Sequence, residues 1–123
     1  MGSRWQDGRG RLRVVDGERG ADSDVPVEIA ASYRARTRGL LGRDGIEGAV
    51  LLTPASSIHT FRMRFAIDVA YLDRHLTVRA VRTMPPNRLG RPRLRARHIL
   101  EAEAGAMADW GLRPGTRLTI ETS

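Results

Sequence analysis

Between Ser57 and Leu72 the chain alternates. His59, Phe61, Met63, Phe65, Ile67, Val69 and Tyr71 fall on one parity, and Thr60, Arg62, Arg64 and Asp68 on the other. A period of two belongs to a strand with one face buried, because successive side chains point to opposite sides. The stretch is longer than a common strand. A bend near Arg62 to Phe65 is predicted, giving two consecutive strands. Arg74-His75 suits the turn of a hairpin, and Leu76 to Thr83 returns with Leu76, Val78 and Ala80 on one face, a row that Arg82 would extend. Met84-Pro85-Pro86-Asn87 ends that strand, since proline cannot donate to a ladder.

The same reading extends to both sides. Arg11 to Val15, Val25 to Ala31, Ala49 to Thr53, Arg97 to Ala102 and Arg117 to Glu121 read as further strands. Met1 to Gly10 reads as a frayed terminus that includes Trp5, and Asp16 to Asp24 as a connection rich in breakers. Ser32 offers an N-cap to a short helix over Tyr33 to Leu41, with Gly42 as its C-cap and Gly39 a weak point inside it. Gly105 to Trp110 gives one or two helical turns, closed by Gly111. Pro114-Gly115 sets a type II turn. About seven short strands with two short helices argue a mainly β fold, a small β-sandwich or partly closed barrel, and not a βαβ architecture. The expected organisation is a flexible segment over 1–10 and one β-rich domain over 11–123.

Composition narrows the function classes. The chain has 123 residues and no cysteine, which excludes disulfides, thiol nucleophiles and cysteine-ligated zinc. No apolar run reaches the roughly 18 residues of a membrane span, and no apolar leader is read in the first twenty, so a cytoplasmic protein is expected. Formal net charge is +7, and all 21 basic residues are arginine. A GC-rich genome accounts for the missing lysine but not for the sign, which favours anionic partners and solubility alike.

Taken in order, Arg38-Gly39-Leu40-Leu41-Gly42-Arg43, Ser57-Ile58-His59-Thr60-Phe61, Met63-Arg64-Phe65, Ile67-Asp68-Val69, Leu100-Glu101 with Gly105, and Arg113-Pro114-Gly115 form a pattern. It resembles the bacterial and archaeal family called domain of unknown function 192, over about Val25 to Ile120. The resemblance implies a compact, mainly β domain and no established activity. Many relatives look exported with a leader, which this chain does not show. Three positions depart from the family: Ala66 stands where proline is common, Thr116 where aspartate is common, and Arg62 where an apolar or small residue is usual. Asp68 is the position that carries over most directly.

The candidate site residues are Arg38, Arg43, His59, Thr60, Arg64 and Asp68, read as holding a small polar or anionic ligand. Arg38, Arg43 and Arg64 would supply planar forks for a carboxylate or phosphate, with Asp68 as internal counter-charge. The plainer reading pairs one arginine with Asp68 or Glu101 to fix the fold, and leaves His59 bonded to backbone at the core edge. His59 with Asp68 is the acid–base alternative, an imidazole oriented by a carboxylate. On a straight strand nine residues span roughly 30 Å, so that pair needs a bend. Arg88, Arg91, Arg93, Arg95 and Arg97 form a basic row that would track a nucleic-acid backbone or guard a sheet edge. The aromatic interleaving used for stacking on bases is missing from that row. His59, His75 and His98 lack metal-ligand spacing, Ser56-Ser57 lacks a nucleophile elbow, and no cofactor motif occurs. The leading expectation is a non-catalytic binding domain for a small polar or anionic ligand or a protein partner.

Overall fold

The structure, a computed structural model, describes residues 5–15, 24–40 and 42–123. The connection read over 16–24, apart from Asp24, and Leu41 lie outside the described residues. Seven strands are present: β1 (Gly8–Val14), β2 (Val25–Ala30), β3 (Ala49–Leu52), β4 (Ile67–Leu72), β5 (Val78–Met84), β6 (His98–Glu103) and β7 (Leu118–Thr122). The helices are α1 (Tyr33–Arg38) and α2 (Ala106–Asp109). The strands form one sheet in the order β5-β4-β6-β3-β2-β1-β7. It curls into a half-barrel rather than splitting into a sandwich. At one end its edges meet: Val78 N–H donates to the Thr116 carbonyl (2.7 Å) and Leu118 N–H to that of Leu76 (2.9 Å).

All neighbouring strands are antiparallel except β2 and β3. A parallel pair cannot be closed by a hairpin and needs a crossover. The segment containing α1 supplies it, so one β-α-β unit sits inside an otherwise antiparallel sheet. Ser32 caps α1 as its sequence suggests, accepting from Ala35 N–H (3.1 Å). The helix ends earlier than expected. Gly39, with φ +44°, is the C-cap and not an interior weak point. Gly42 lies in the turn that follows.

The alternation within the strands sorts side chains onto two faces, both buried in the central strands β3, β4 and β6. One core draws on every strand, including Leu12, Val27, Leu51, Leu72, Val78, Leu100 and Leu118, and is closed by Met107 of α2 and by Leu112. Trp5 packs against it, edge-on to His98 at 5.5 Å between ring centres, so this part of the expected frayed terminus is docked. Residues 8–10 likewise open β1 and pair with β2 and β7. The opposite face carries Val50, Leu52, Ile67, Val69, Tyr71 and Ile99, covered by Leu40, Ile58, Met63 and Ala96 from loops.

The long alternating stretch is corrected in its first half. Only Ile67–Leu72 is a strand. Residues 55–60 run antiparallel to 88–97 as loops, with Gly90 N–H on the Ile58 carbonyl (2.8 Å), Thr60 N–H on that of Arg88 (2.7 Å) and Arg93 N–H on that of Ser56 (3.0 Å). Ladder geometry is reached at a single bridge, His59 with Leu89. Arg62, at φ +63°, turns the chain, and its N–H donates to Asn87 Oδ1 (3.1 Å). The expected apolar row is not a buried face there: His59 and Phe61 are exposed, while Ile58, Thr60 and Met63, which do not share one parity, are buried in a loop pair, the flap.

Candidate functional site

Among the described residues two carboxylates are buried, Asp68 on β4 and Glu101 on β6, and their parity separates them. Asp68 shares its parity with Ala70 and Leu72, which face the interior core, while its neighbour Val69 sits opposite Glu101 in the ladder. Glu101 therefore emerges on the other face of the sheet.

Asp68 is fully employed. One oxygen accepts from Thr83 Oγ1 (2.7 Å), and the other from the N–H groups of Gly105 (2.9 Å) and Met107 (3.1 Å). It thereby holds the start of α2, whose own cap residue, Gly105, has no side chain to do so. No described arginine pairs with it: the expected cluster of Arg38, Arg43 and Arg64 around Asp68 is not formed. Arg43 binds Glu28 (2.6 Å), and Arg64 binds Asp44 (2.9 Å) at the surface. Thr60 is also structural. Its hydroxyl donates to the Pro85 carbonyl (2.6 Å) and accepts from Arg88 N–H (2.8 Å), pinning the two halves of the flap together. His59 is exposed, stacked on Phe61, and its Nδ1 accepts from Phe61 N–H (3.3 Å). It makes no contact with Asp68, and the acid–base pair drawn from the sequence is not assembled.

Glu101 has a different setting. It is 2% exposed, and its Oε1 has no hydrogen-bond partner. Burial pushes its carboxyl up to about 7, against a smaller opposing pull from the Arg43 guanidinium. A buried polar atom without a partner costs about 1–3 kcal/mol, and buried groups are usually satisfied. Glu101 lines a cleft of 320 Å³ between α1 and residues 57–63. Leu52, Ile58 and Met63 give this cleft apolar walls, and Arg38 and His59 flank it. A Cβ placed on Gly39, the C-cap of α1, would lie 3.6 Å from Oε1. The helix end thus covers the carboxylate closely. Arg38 forms no ion pair with a described residue. Together with Gly39 it also borders a neighbouring groove of 540 Å³, into which Arg9, Arg34 and Arg43 converge beside Asp7 and Glu28. Asp7 anchors this region, because it accepts from the N–H groups of Ala31 (2.6 Å) and Ser32 (2.8 Å). Hydrogen bonds from Ser32 and Ala31 hold its carboxyl below the ordinary range.

Of the six expected site residues, the cleft therefore brings together Arg38 and His59, places Arg43 in the adjoining groove, and leaves Thr60, Arg64 and Asp68 in other roles. The sequence marks Glu101 as part of the Leu100-Glu101 motif and as a partner for an arginine, not as a residue of the ligand site. The available signal was an acidic residue inside the apolar run Ile99-Leu100-Glu101-Ala102, where a charge is expensive. Among the described residues no three His, Asp or Glu side chains converge as metal ligands. The basic row lies along the flap. Arg88, Arg91, Arg95 and Arg97 are exposed, while the Arg93 guanidinium packs over the Tyr71 ring at 4.8 Å. No described helix is long and apolar enough to cross a membrane.

Comparison with known proteins matches this arrangement to a family. The model of domain of unknown function 192, described as an uncharacterized ACR, matches residues 14–120. The UPF0127 protein PH1112 of Pyrococcus horikoshii is 33% identical over 97 residues, covering 75% of this chain and 84% of that protein. The UPF0127 protein PYRAB11210 of Pyrococcus abyssi is 28% identical over 97 residues, covering 75% and 83%. Among solved structures, a chain from Sinorhizobium meliloti described as a candidate transcription regulator superposes with a TM-score of 0.78 at 20% identity, covering 96% of this chain and 98% of that one. A protein of unknown function from Novosphingobium aromaticivorans gives 0.73 at 18% identity, covering 89% and 83%. At these identities the structural likenesses establish the fold alone. The family model spans nearly all of the sheet, from the end of β1 into β7, and on that match the chain belongs to the domain of unknown function 192 family.

Proposed function

We propose that this domain binds a small polar or anionic ligand, held in the cleft over Glu101. The carrying observation is the unpartnered Oε1 of a carboxylate buried in the central strand β6 and lining an open cleft. A ligand N–H or O–H reaching that oxygen recovers the hydrogen bond that folding leaves unmade. Arg38 offers a planar fork to a carboxylate or phosphate on the same ligand. Leu52, Ile58 and Met63 accept its carbon body, and the cleft volume falls at the small end of ligand sites. Asp68, spent on α2, leaves His59 without an orienting carboxylate, which favours binding over acid–base chemistry.

The test is a thermal-shift screen against sugar acids, amino acids, nucleotides and inorganic anions. A compound at about 100 times its Kd adds roughly 2.7 kcal/mol, several degrees in a domain of this size. The expected result is a shift present in the wild type and lost in both R38A and E101Q. A flat screen, or a shift that both variants keep, contradicts the proposal.

A further inference from the structure

Five large hydrophobic side chains are exposed among the described residues, and three stand on the flap: Phe61 (45%), Leu89 (72%) and Leu94 (103%). Each has an arginine beside it in sequence: Arg62, Arg88, and for Leu94 both Arg93 and Arg95. The His59–Leu89 bridge and the His59–Phe61 ring stack put Phe61 and Leu89 on one side of the loop pair. Leu94 occupies the corner of a turn closed by Ala96 N–H on the Arg93 carbonyl (3.0 Å).

The electrostatics of the flap are one-sided. Segments 54–66 and 85–97 hold seven arginines and no carboxylate. Arg64 is neutralised by Asp44 and Arg93 is engaged with Tyr71. Arg62, Arg88, Arg91, Arg95 and Arg97 are exposed and form no ion pair with a described residue. Phe61, Leu89 and Leu94 thus expose apolar surface rimmed by uncompensated cations, the pattern of a contact surface. An anionic surface with hydrocarbon beneath it satisfies both groups at once, because leucine and phenylalanine enter the apolar layer while arginines stay at the phosphates. A nucleic acid would use the charges but not the two leucines, since base recognition by stacking needs aromatic faces.

We propose that the flap is a contact surface for anionic lipid membranes, with Leu89, Leu94 and Phe61 entering the interface and the five free arginines engaging lipid phosphates. The test is co-sedimentation of the intact protein with vesicles of phosphatidylglycerol and phosphatidylcholine, against vesicles of phosphatidylcholine alone, at about 0.1 M salt. Binding to the anionic vesicles only is expected. L94S should weaken it about tenfold, and R91S with R95S about fivefold per arginine removed. Thermal midpoints from circular dichroism confirm that these surface variants remain folded. The proposal is overturned by no sedimentation with anionic vesicles, by sedimentation that L94S and L89S leave undiminished, or by retention of RNA or DNA without vesicle binding.

Discussion

Asp68 and Glu101 occupy neighbouring strands, and their surroundings decide their roles. Asp68 receives three hydrogen bonds and fixes α2 to β4, so D68A strips partners from a hydroxyl and two backbone N–H groups. Urea denaturation should show a loss of about 3 kcal/mol, and a loss below about 0.5 kcal/mol would contradict the structural role. Glu101 has the opposite balance, with its carboxyl raised from an ordinary 4.5 to about 7 by burial. A folded pKa above the unfolded one means that folding takes up a proton. Its contribution therefore favours the fold below about pH 4.5 and is lost as pH rises through about 7, a swing of about 3 kcal/mol. His98 acts the other way, because desolvation lowers its pKa from 6.5 and protonation costs stability as pH falls below that value. The Glu101 contribution is thus read as the difference between wild type and E101Q. E101Q should gain stability relative to wild type between about pH 5 and pH 8, by about 3 kcal/mol. Equal pH profiles for the two proteins would refute the burial argument. Residue type and position single out Arg38 and His59 in the sequence, and both line the cleft beside Glu101. The place of Glu101 there is not legible, because parity tells which face a strand residue takes and not what covers that face.

At the level of elements, local patterns were readable where the chain joins the ladder, whether one face of the strand is buried or both. Val25–Ala30, Ala49–Leu52 and Ile67–Leu72 follow their alternation or their apolar run to within a residue or two. The stretch before Ile67 misled because its apolar row is not one buried face: a loop packed on the sheet turns at Arg62, burying Ile58, Thr60 and Met63 and leaving His59 and Phe61 exposed, without joining the ladder. That loop pair fits tightly. A Cβ on Gly90 would meet the Tyr71 hydroxyl at 2.7 Å and Ile58 Cγ2 at 2.8 Å. G90A should lift the flap and cost about 1–3 kcal/mol, with faster amide hydrogen exchange at Thr60 and Arg93. Unchanged exchange there would show that the flap is not seated by this contact. The end of α1 was misplaced for a related reason. Two glycines, Gly39 and Gly42, offered a C-cap, and the buried contact of Leu40 selects the first. S32A removes the bond to Ala35 N–H and should cost about 1 kcal/mol in thermal or chemical unfolding.

For the whole molecule, strand count and the mainly β class followed from local alternation, but the connectivity did not. The parallel pairing of β2 with β3 and the meeting of β5 with β7 join residues distant in sequence, and no local pattern records them. These pairings make the site. The crossover between β2 and β3 brings the end of α1, at Gly39, close to Glu101 of β6, and a cleft lies between that helix and residues 57–63. The site is therefore a product of topology, assembled from residues near 38, 58 and 101. The proposed ligand cleft requires Glu101 to be a buried, unpaired carboxyl group. The most direct measurement is carbon-detected NMR titration of the Glu101 side-chain carboxyl in the free protein. An apparent pKa of about 7 is expected, absent in E101Q spectra. Titration at the ordinary 4.5 would mean that the carboxylate is solvated or paired, and would contradict the claim.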